Sequence, residues 1–140
     1  MWMLLAAGSA ISAAFVAIFG KIGLQEVDPT VATIVRGVIM AVLLVIAGFA
    51  FGKLEGFDPS AWSGKAWLFI ILAAAAGALS WTLYFMALRT GPASAVAVID
   101  KMSVVIVILA AAAFLGESLT WKTALGTLLT VAGTLLFIIK

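Results

Sequence analysis

The chain has 140 residues, of which 66% are hydrophobic and 10% are charged, and its net charge is +2. An ordinary soluble domain is about 45–50% apolar and ~25% charged, so this composition excludes that class and predicts an integral membrane protein. The chain has no Cys and no His, which excludes disulfides, thiol chemistry and the usual zinc sites. No basic run suggests nucleic acid as a partner.

Taken in order, the chain reads as apolar blocks separated by short polar segments. Each block has the ~20 residues that a spanning helix needs, and the strict alternation of barrel strands is absent. The sequence therefore predicts an all-α bundle of five transmembrane helices in one domain over residues 1–140, at about residues 3–23, 29–51, 66–88, 92–115 and 121–139. The first block lacks a Lys/Arg-rich leader and is predicted to be a retained helix rather than a signal peptide.

Turn-forming residues mark the ends of these blocks. Pro29 and Pro92 stand near helix starts, and Pro92 suits the first helical position because a missing N–H is tolerated there. Residues 52–65 form the one long polar loop. In the turn before the last helix, Ser118 or Thr120 is predicted to be the cap.

The fourth block carries an acid and a base at adjacent positions, Asp100 and Lys101. Asp100 lies roughly 12 Å along the helix from Pro92 at ~1.5 Å per residue, well inside a hydrocarbon slab of about 30 Å. A charge at the centre of a bilayer costs about 2.5–3.5 kcal/mol on the lenient insertion scale. Such a pair therefore needs partners.

Other unusual residues are predicted to lie at a similar depth. Measured from the side that holds the 24–29 and 89–91 turns, Lys21 and Arg36 lie roughly 9–10 Å in and Trp81 about 12 Å in. Tyr84 shares the face of Trp81, and Ser103 follows Asp100 by one helical turn. This layer predicts a substrate or coupling cavity, with Asp100 or Lys101 in the coupling role, Arg36 and Lys21 as electrostatic partners, and a lining of Trp81, Tyr84 and Ser103.

Structural interpretations of the same residues remain open. Lys21 and Arg36 can extend toward the nearby interface with their apolar stems buried. Asp100 can be neutralised in a structural ion pair with Arg36 or Lys101. An ionisable residue at this depth is nevertheless a functional-site hypothesis by default.

The charges of the predicted layer do not cancel. Its three cations, Lys21, Arg36 and Lys101, face one anion, Asp100, and an excess of charge in a low dielectric needs an anion, water or a shifted pKa to relieve it. We therefore expect a substrate with an anionic group. No nucleophile–base pair, metal cluster or phosphate loop points to an enzyme.

Several motifs resemble a known family. They are Phe19-Gly-Lys-Ile-Gly-Leu, Val31-Ala-Thr-Ile-Val-Arg36, Arg89-Thr-Gly-Pro-Ala-Ser-Ala-Val-Ala-Val-Ile-Asp-Lys-Met-Ser-Val-Val, Phe114-Leu-Gly-Glu-Ser-Leu-Thr and Gly126-x-x-Leu-x-x-Ala-Gly133. Together they resemble the EamA-type domain of the drug/metabolite transporter superfamily, in particular its short, five-helix, single-domain branch in bacteria and archaea. The resemblance covers essentially the whole chain.

The resemblance implies a secondary transporter or exporter of small metabolites or drugs, in the cell inner or plasma membrane and without a tightly bound cofactor. Most members of the family carry two five-helix halves in inverted orientation around a central cavity, whereas this sequence has one half. The resemblance therefore implies an antiparallel homodimer or a second half-transporter chain, a geometry that suits alternating access. Glu117 fits the family's short turn motif and is interpreted as a turn residue.

Loop charges permit insertion in both orientations. One side carries Lys53, Lys65 and Lys122, and the other carries Arg89 and Lys140, or five cations if the embedded Lys21, Arg36 and Lys101 count. The positive-inside bias is therefore weak, and its direction depends on this counting. Two other functions remain open: a dual-topology ion channel, which balanced charges also suit, and a non-transporting accessory subunit of another membrane protein.

The anionic-substrate hypothesis predicts the effect of reversing one charge. Arg36→Glu should weaken the binding of anionic solutes and favour cationic ones, because the sign of the field in the cavity changes. Binding of a matched panel of anions and cations measures this effect. An unchanged preference would contradict the hypothesis.

Overall fold

The computed structural model describes residues 1–139, and Lys140 lies outside the described part. Among residues 1–139 there is no strand, which confirms the all-α prediction. The helices are α1 (Trp2–Gly23), α2 (Pro29–Ala50), α3 (Gly64–Thr90), α4 (Ala93–Asp100), α5 (Met102–Ala110) and α6 (Trp121–Ile138), with a 3₁₀ turn at Pro59–Ala61 and a π-helical turn at Ala111–Leu115.

Five helical stretches in the described chain are long and apolar enough to cross a membrane, as predicted. Four of them are α1, α2, α3 and α6. The remaining one, Ala93–Leu115, consists of α4, α5 and the π-helical turn in succession. Large apolar side chains point outward, for example Leu136 at 77% exposure and Phe114 at 86%, as expected for a surface that faces lipid.

The fourth span differs from the unbroken helix that the sequence predicted. Pro92 has φ −66° and ψ 135°, so it precedes the first helical residue instead of occupying that position. Further along, the N–H of Lys101 donates to the carbonyl oxygen of Val98 at 3.1 Å. The carbonyl oxygen of Lys101 in turn accepts the N–H of Val104 at 3.0 Å. Both bonds reach back three residues, which is 3₁₀ geometry. The α-helix therefore breaks at the acid–base pair.

The end of the fourth span and the start of α6 are both capped. Gly116 has φ +70°, a left-handed conformation that favours glycine, and the carbonyl oxygen of Ala111 accepts the N–H groups of Gly116 and Glu117. The hydroxyl of Thr120 accepts the N–H of Thr123 at 3.2 Å. Thr120, rather than Ser118, is therefore the N-cap of α6.

By its internal contacts the chain divides into two compact units, one of residues 22–89 and one that combines residues 1–21 with the stretch from Thr90 onward. In the second unit, α6 packs against α4 and α5, and Thr134 of α6 is buried. The prediction of one domain over residues 1–140 stays a prediction.

Residues 22–89 comprise α2, the long loop and α3. The carboxylate of Asp28 caps α2 by accepting the N–H groups of Thr30 at 2.9 Å and Val31 at 3.2 Å. It also lies 3.8 Å from the guanidinium of Arg89 at the end of α3. Two helix ends thus meet at one carboxylate.

The long loop is ordered by its own side chains. The rings of Phe57, Trp62 and Trp67 contact one another in sequence, with centroid distances of 5.5 and 5.3 Å. The hydroxyl and the backbone N–H of Ser60 both donate to the carboxylate of Asp58, and these hydrogen bonds lower the pKa of Asp58 from its ordinary value. The loop therefore places an aromatic cluster at the start of α3, as expected near a membrane interface.

The Asp28 cap predicts a specific loss of stability. Asp28→Ala should lower the free energy of unfolding by about 1 kcal/mol, because two N–H groups of α2 lose their acceptor. Asp28→Asn is the matched control, since it retains an acceptor and loses only an exposed ion pair that contributes about 0–1 kcal/mol. Unfolding titrations in mixed micelles measure both values. An alanine variant as stable as the wild type would contradict this account of the cap.

Candidate functional site

Arg36 is the one charged residue within α2, and its guanidinium lies against aromatic rings of α3. The guanidinium carbon is 3.7 Å from the centroid of the Trp81 ring and 5.2 Å from that of Phe85. Both distances are within the ~6 Å range of cation–π attraction. The sequence placed Arg36 and Trp81 at similar depths by residue counting alone, and the contact agrees with that placement.

The rings around Arg36 form a cluster along one stripe of α3. Trp81 meets Tyr84 edge-on at a centroid distance of 5.8 Å and meets Phe85 edge-on at 6.0 Å. Phe85 is only 4% exposed, so it is the buried member of this aromatic cluster. The sequence pattern did not single out Phe85, although its position four residues after Trp81 places both on one helical face.

The charge of Arg36 is not balanced by a carboxylate within residues 22–89. The ion pair in that described unit joins Asp28 to Arg89. Arg36 is partly buried, and its contacts there are with aromatic rings rather than with hydrogen-bond acceptors. Its N–H groups therefore remain available to an acceptor that is not part of this unit.

Asp100 and Lys101 pair with each other at the break in the fourth span. The ammonium of Lys101 lies 3.8 Å from a carboxylate oxygen of Asp100, and the two side chains are 60% and 40% exposed. Of the structural interpretations of Asp100, the ion pair with Lys101 is therefore present. Ser103 lies just beyond the break, in the first turn of α5, and is exposed.

Lys21 reaches the turn that precedes α4. Its ammonium donates to the carbonyl oxygen of Gly91 at 2.9 Å, and its side chain is partly buried. This hydrogen bond ties α1 to the connection between the third and fourth spans.

The predicted site residues thus contact one another within separate groups. Arg36, Trp81 and Tyr84 form one group within residues 22–89. Asp100 and Lys101 form another at the helix break. That all the predicted residues line a single cavity stays a prediction. Among residues 1–139, no group of His, Cys, Asp or Glu is arranged to hold a metal ion.

Comparison with known proteins adds the family. The model of the EamA-like transporter family matches residues 1–139. The chain belongs to the EamA-like transporter family. A protein of Sinorhizobium sp named "Uncharacterized transporter in cobO 3'region" is 38% identical to this EamA-like protein over 135 residues, which cover 96% of this chain and 94% of that protein. No solved structure matched.

Membership in the family confirms the resemblance seen in the motifs. It identifies the EamA-like protein as a multi-pass membrane protein of a transporter family. It points to transport rather than to enzymatic catalysis. The motif residues Lys21, Arg36, Asp100 and Lys101 all fall within the matched range.

The contact between Arg36 and Trp81 predicts a measurable coupling energy. A double-mutant cycle of Arg36→Gln and Trp81→Leu should give a coupling of about 1 kcal/mol in the free energy of unfolding, because a desolvated cation–π pair contributes about 0.5–2 kcal/mol. A cycle of Arg36→Gln and Trp67→Leu is the control, since Trp67 lies ~21 Å from Trp81 along α3. Equal coupling in both cycles would contradict the contact.

Proposed function

We propose that this EamA-like protein is a secondary transporter of small metabolites or drugs that works by alternating access as a dimer of five-helix units, most simply an antiparallel homodimer. The observation that carries the proposal is the odd number of spans among the described residues 1–139, the same range that matches a transporter family. We place it in the inner or plasma membrane of a bacterial or archaeal cell.

An odd number of spans puts the two ends of a five-helix unit on opposite sides of the membrane. One such unit has a single polarity, whereas alternating access in many secondary transporters uses two units of inverted polarity around a site near the midplane. A second copy in the opposite orientation supplies that geometry, and a partner chain is the other source. The Sinorhizobium relative is matched over 94% of its length, so it too has the size of one unit.

The distribution of loop charges is compatible with both orientations. Among residues 1–139, the loops on one side carry Lys53, Lys65 and Lys122, and those on the other carry Arg89, with Lys21, Arg36 and Lys101 within the spans. Insertion is biased by differences in Lys and Arg content between short loops, and this difference is small. The chain can therefore supply both orientations from one sequence.

We assign the coupling role to Asp100 or Lys101. The pair lies where the fourth span breaks from α4 into α5, and transporters commonly place substrate or coupling-ion sites at interrupted helices. A carboxylate and an ammonium 3.8 Å apart can exchange a proton or separate when a charged solute arrives. Lys21 and Arg36 would contribute positive potential, and Trp81, Tyr84 and Ser103 would line the path of a solute with an anionic group.

Reconstituted flux tests this function. Proteoliposomes loaded with a panel of labelled small carboxylates, amines and amino acids should give saturable flux of at least one solute. Asp100→Asn should reduce that flux by about tenfold or more, because the neutral amide can neither carry a proton nor pair with Lys101. Glu55→Gln, in the exposed loop, is the matched control and should leave the flux unchanged.

The same measurement separates the alternative functions. Single-channel currents without saturable flux would identify a channel. An accessory subunit predicts no flux from the reconstituted chain and impaired assembly of Asp100→Asn. Either result would overturn the proposed transport function.

A further inference from the structure

We propose that the Arg36 guanidinium, whose central carbon lies 3.7 Å from the centroid of the Trp81 ring and 5.2 Å from that of Phe85, is the recognition group for the carboxylate of a small monocarboxylate solute. The inference rests on the proposed transport function, because it names the class of substrate. The inference makes the proposed function more specific, because it assigns recognition of the solute to one guanidinium rather than to a general excess of positive charge.

The charge of Arg36 has no carboxylate partner within residues 22–89. The residue lies about two turns into α2 and is partly buried. Within residues 22–89 it pairs with no carboxylate and donates no hydrogen bond to a protein acceptor, since its contacts there are the two aromatic rings. A guanidinium stays charged and carries five N–H donors. In apolar surroundings these donors need an acceptor from elsewhere.

The N–H donors of Arg36 point in a defined direction. A guanidinium is planar, and its N–H groups lie in its plane. The guanidinium carbon lies over the Trp81 ring at 3.7 Å from its centroid and 5.2 Å from that of Phe85. Arginine stacks on aromatic faces at such a short distance, so we infer that Trp81 supports a face of the guanidinium and leaves its edge for a ligand. An edge of parallel N–H groups matches two oxygen atoms of one carboxylate.

The rings also restrict the motion of the side chain. Phe85 is 4% exposed and contacts both Trp81 and Tyr84, so the surface under Arg36 is itself held in place. Arginine loses less conformational freedom per hydrogen bond when its fork is already oriented. Such a preformed arrangement favours binding because less order is lost when the ligand arrives.

The charged residues near Arg36 bear on the charge of the ligand that can bind there. Arg36 is the one charged residue of α2, and the charged residues of α3, Lys65 and Arg89, lie in its first and last turns. One anion with a single negative charge forms a neutral pair with Arg36. A phosphate monoester carries about −1.5 to −2 at neutral pH and would leave an excess of negative charge in a low dielectric. Within residues 22–89, where Arg36 is the charged residue that lies away from the helix ends, the local charge therefore favours a monocarboxylate over a dianion.

A structural interpretation predicts different behaviour. If Arg36 only joins α2 to α3 through its contact with Trp81, its substitution lowers stability and no anion responds to it. If it recognises a carboxylate, the ligand changes the environment of Trp81, and the response depends on the planar fork as well as on the charge. Arg36→Lys separates these interpretations because it retains the charge and removes the fork.

The test uses the full chain in detergent with Trp81 as the single tryptophan. The other tryptophans, Trp2, Trp62, Trp67 and Trp121, are replaced by Phe. The fluorescence emission of Trp81 is then recorded during titration with sodium butyrate or sodium cyclohexanecarboxylate. Sodium chloride is adjusted so that the ionic strength stays constant. Methyl phosphate and butyltrimethylammonium are the comparison probes.

We expect a saturable change in Trp81 emission with at least one carboxylate. Arg36→Lys should weaken the apparent affinity by about tenfold or more, because a bidentate contact is lost, and Arg36→Gln should abolish the response. Arg89→Lys is the matched control and should bind like its parent. Methyl phosphate should bind at least about tenfold more weakly than the carboxylate, and the cation should give no saturable response.

Three results would overturn the proposal: no response of the folded parent protein to either carboxylate, equal affinity in the Arg36 variants, or tighter binding of methyl phosphate. Flux measurements keep this failure distinct from failure of the proposed function. Carboxylate binding without flux would refute transport and leave the recognition site intact. Saturable flux that is insensitive to Arg36→Lys, without a Trp81 response, would refute the recognition site and leave transport intact.

Discussion

A charged side chain within an apolar helix needs a group that offsets its charge or accepts its hydrogen bonds. This constraint accounts for the contacts of Arg36, Lys101 and Lys21. An isolated charge near the middle of a bilayer costs several kcal/mol, whereas a paired or solvated one costs less. Arg36 lies against aromatic rings, Lys101 lies beside Asp100, and Lys21 donates to the carbonyl oxygen of Gly91. Each cation of the predicted layer thus has a different kind of partner.

These partners also connect the helices. Arg36 and Trp81 join α2 to α3 within the apolar spans, and Asp28 and Arg89 join the same helices at their ends. Large apolar side chains meanwhile remain exposed along every span, as lipid or a second copy requires. In a membrane the polar contacts, rather than general burial of apolar surface, distinguish one helix pairing from another.

Much of the fold followed from the sequence because length and hydropathy largely determine membrane spans. The depth of Arg36 relative to Trp81 followed from residue counting, since the rise of a helix is fixed. The break at Lys101 did not, because no Gly or Pro marks it. The acceptor of Lys21 was equally hidden, since it is a backbone carbonyl, which every residue possesses. Phe85 resembled any other apolar residue of α3 until its contact with Arg36 was seen.

Copies of the chain are proposed to insert in opposite orientations, and cysteine labelling of intact cells measures this orientation. Glu26 and Glu55 lie in exposed segments beyond opposite ends of α2, and the chain has no cysteine of its own. Replacing either acid by Cys changes no Lys or Arg and should not alter orientation. An impermeant reagent should label each position in about half of the molecules. Full labelling at one position with none at the other would contradict the account.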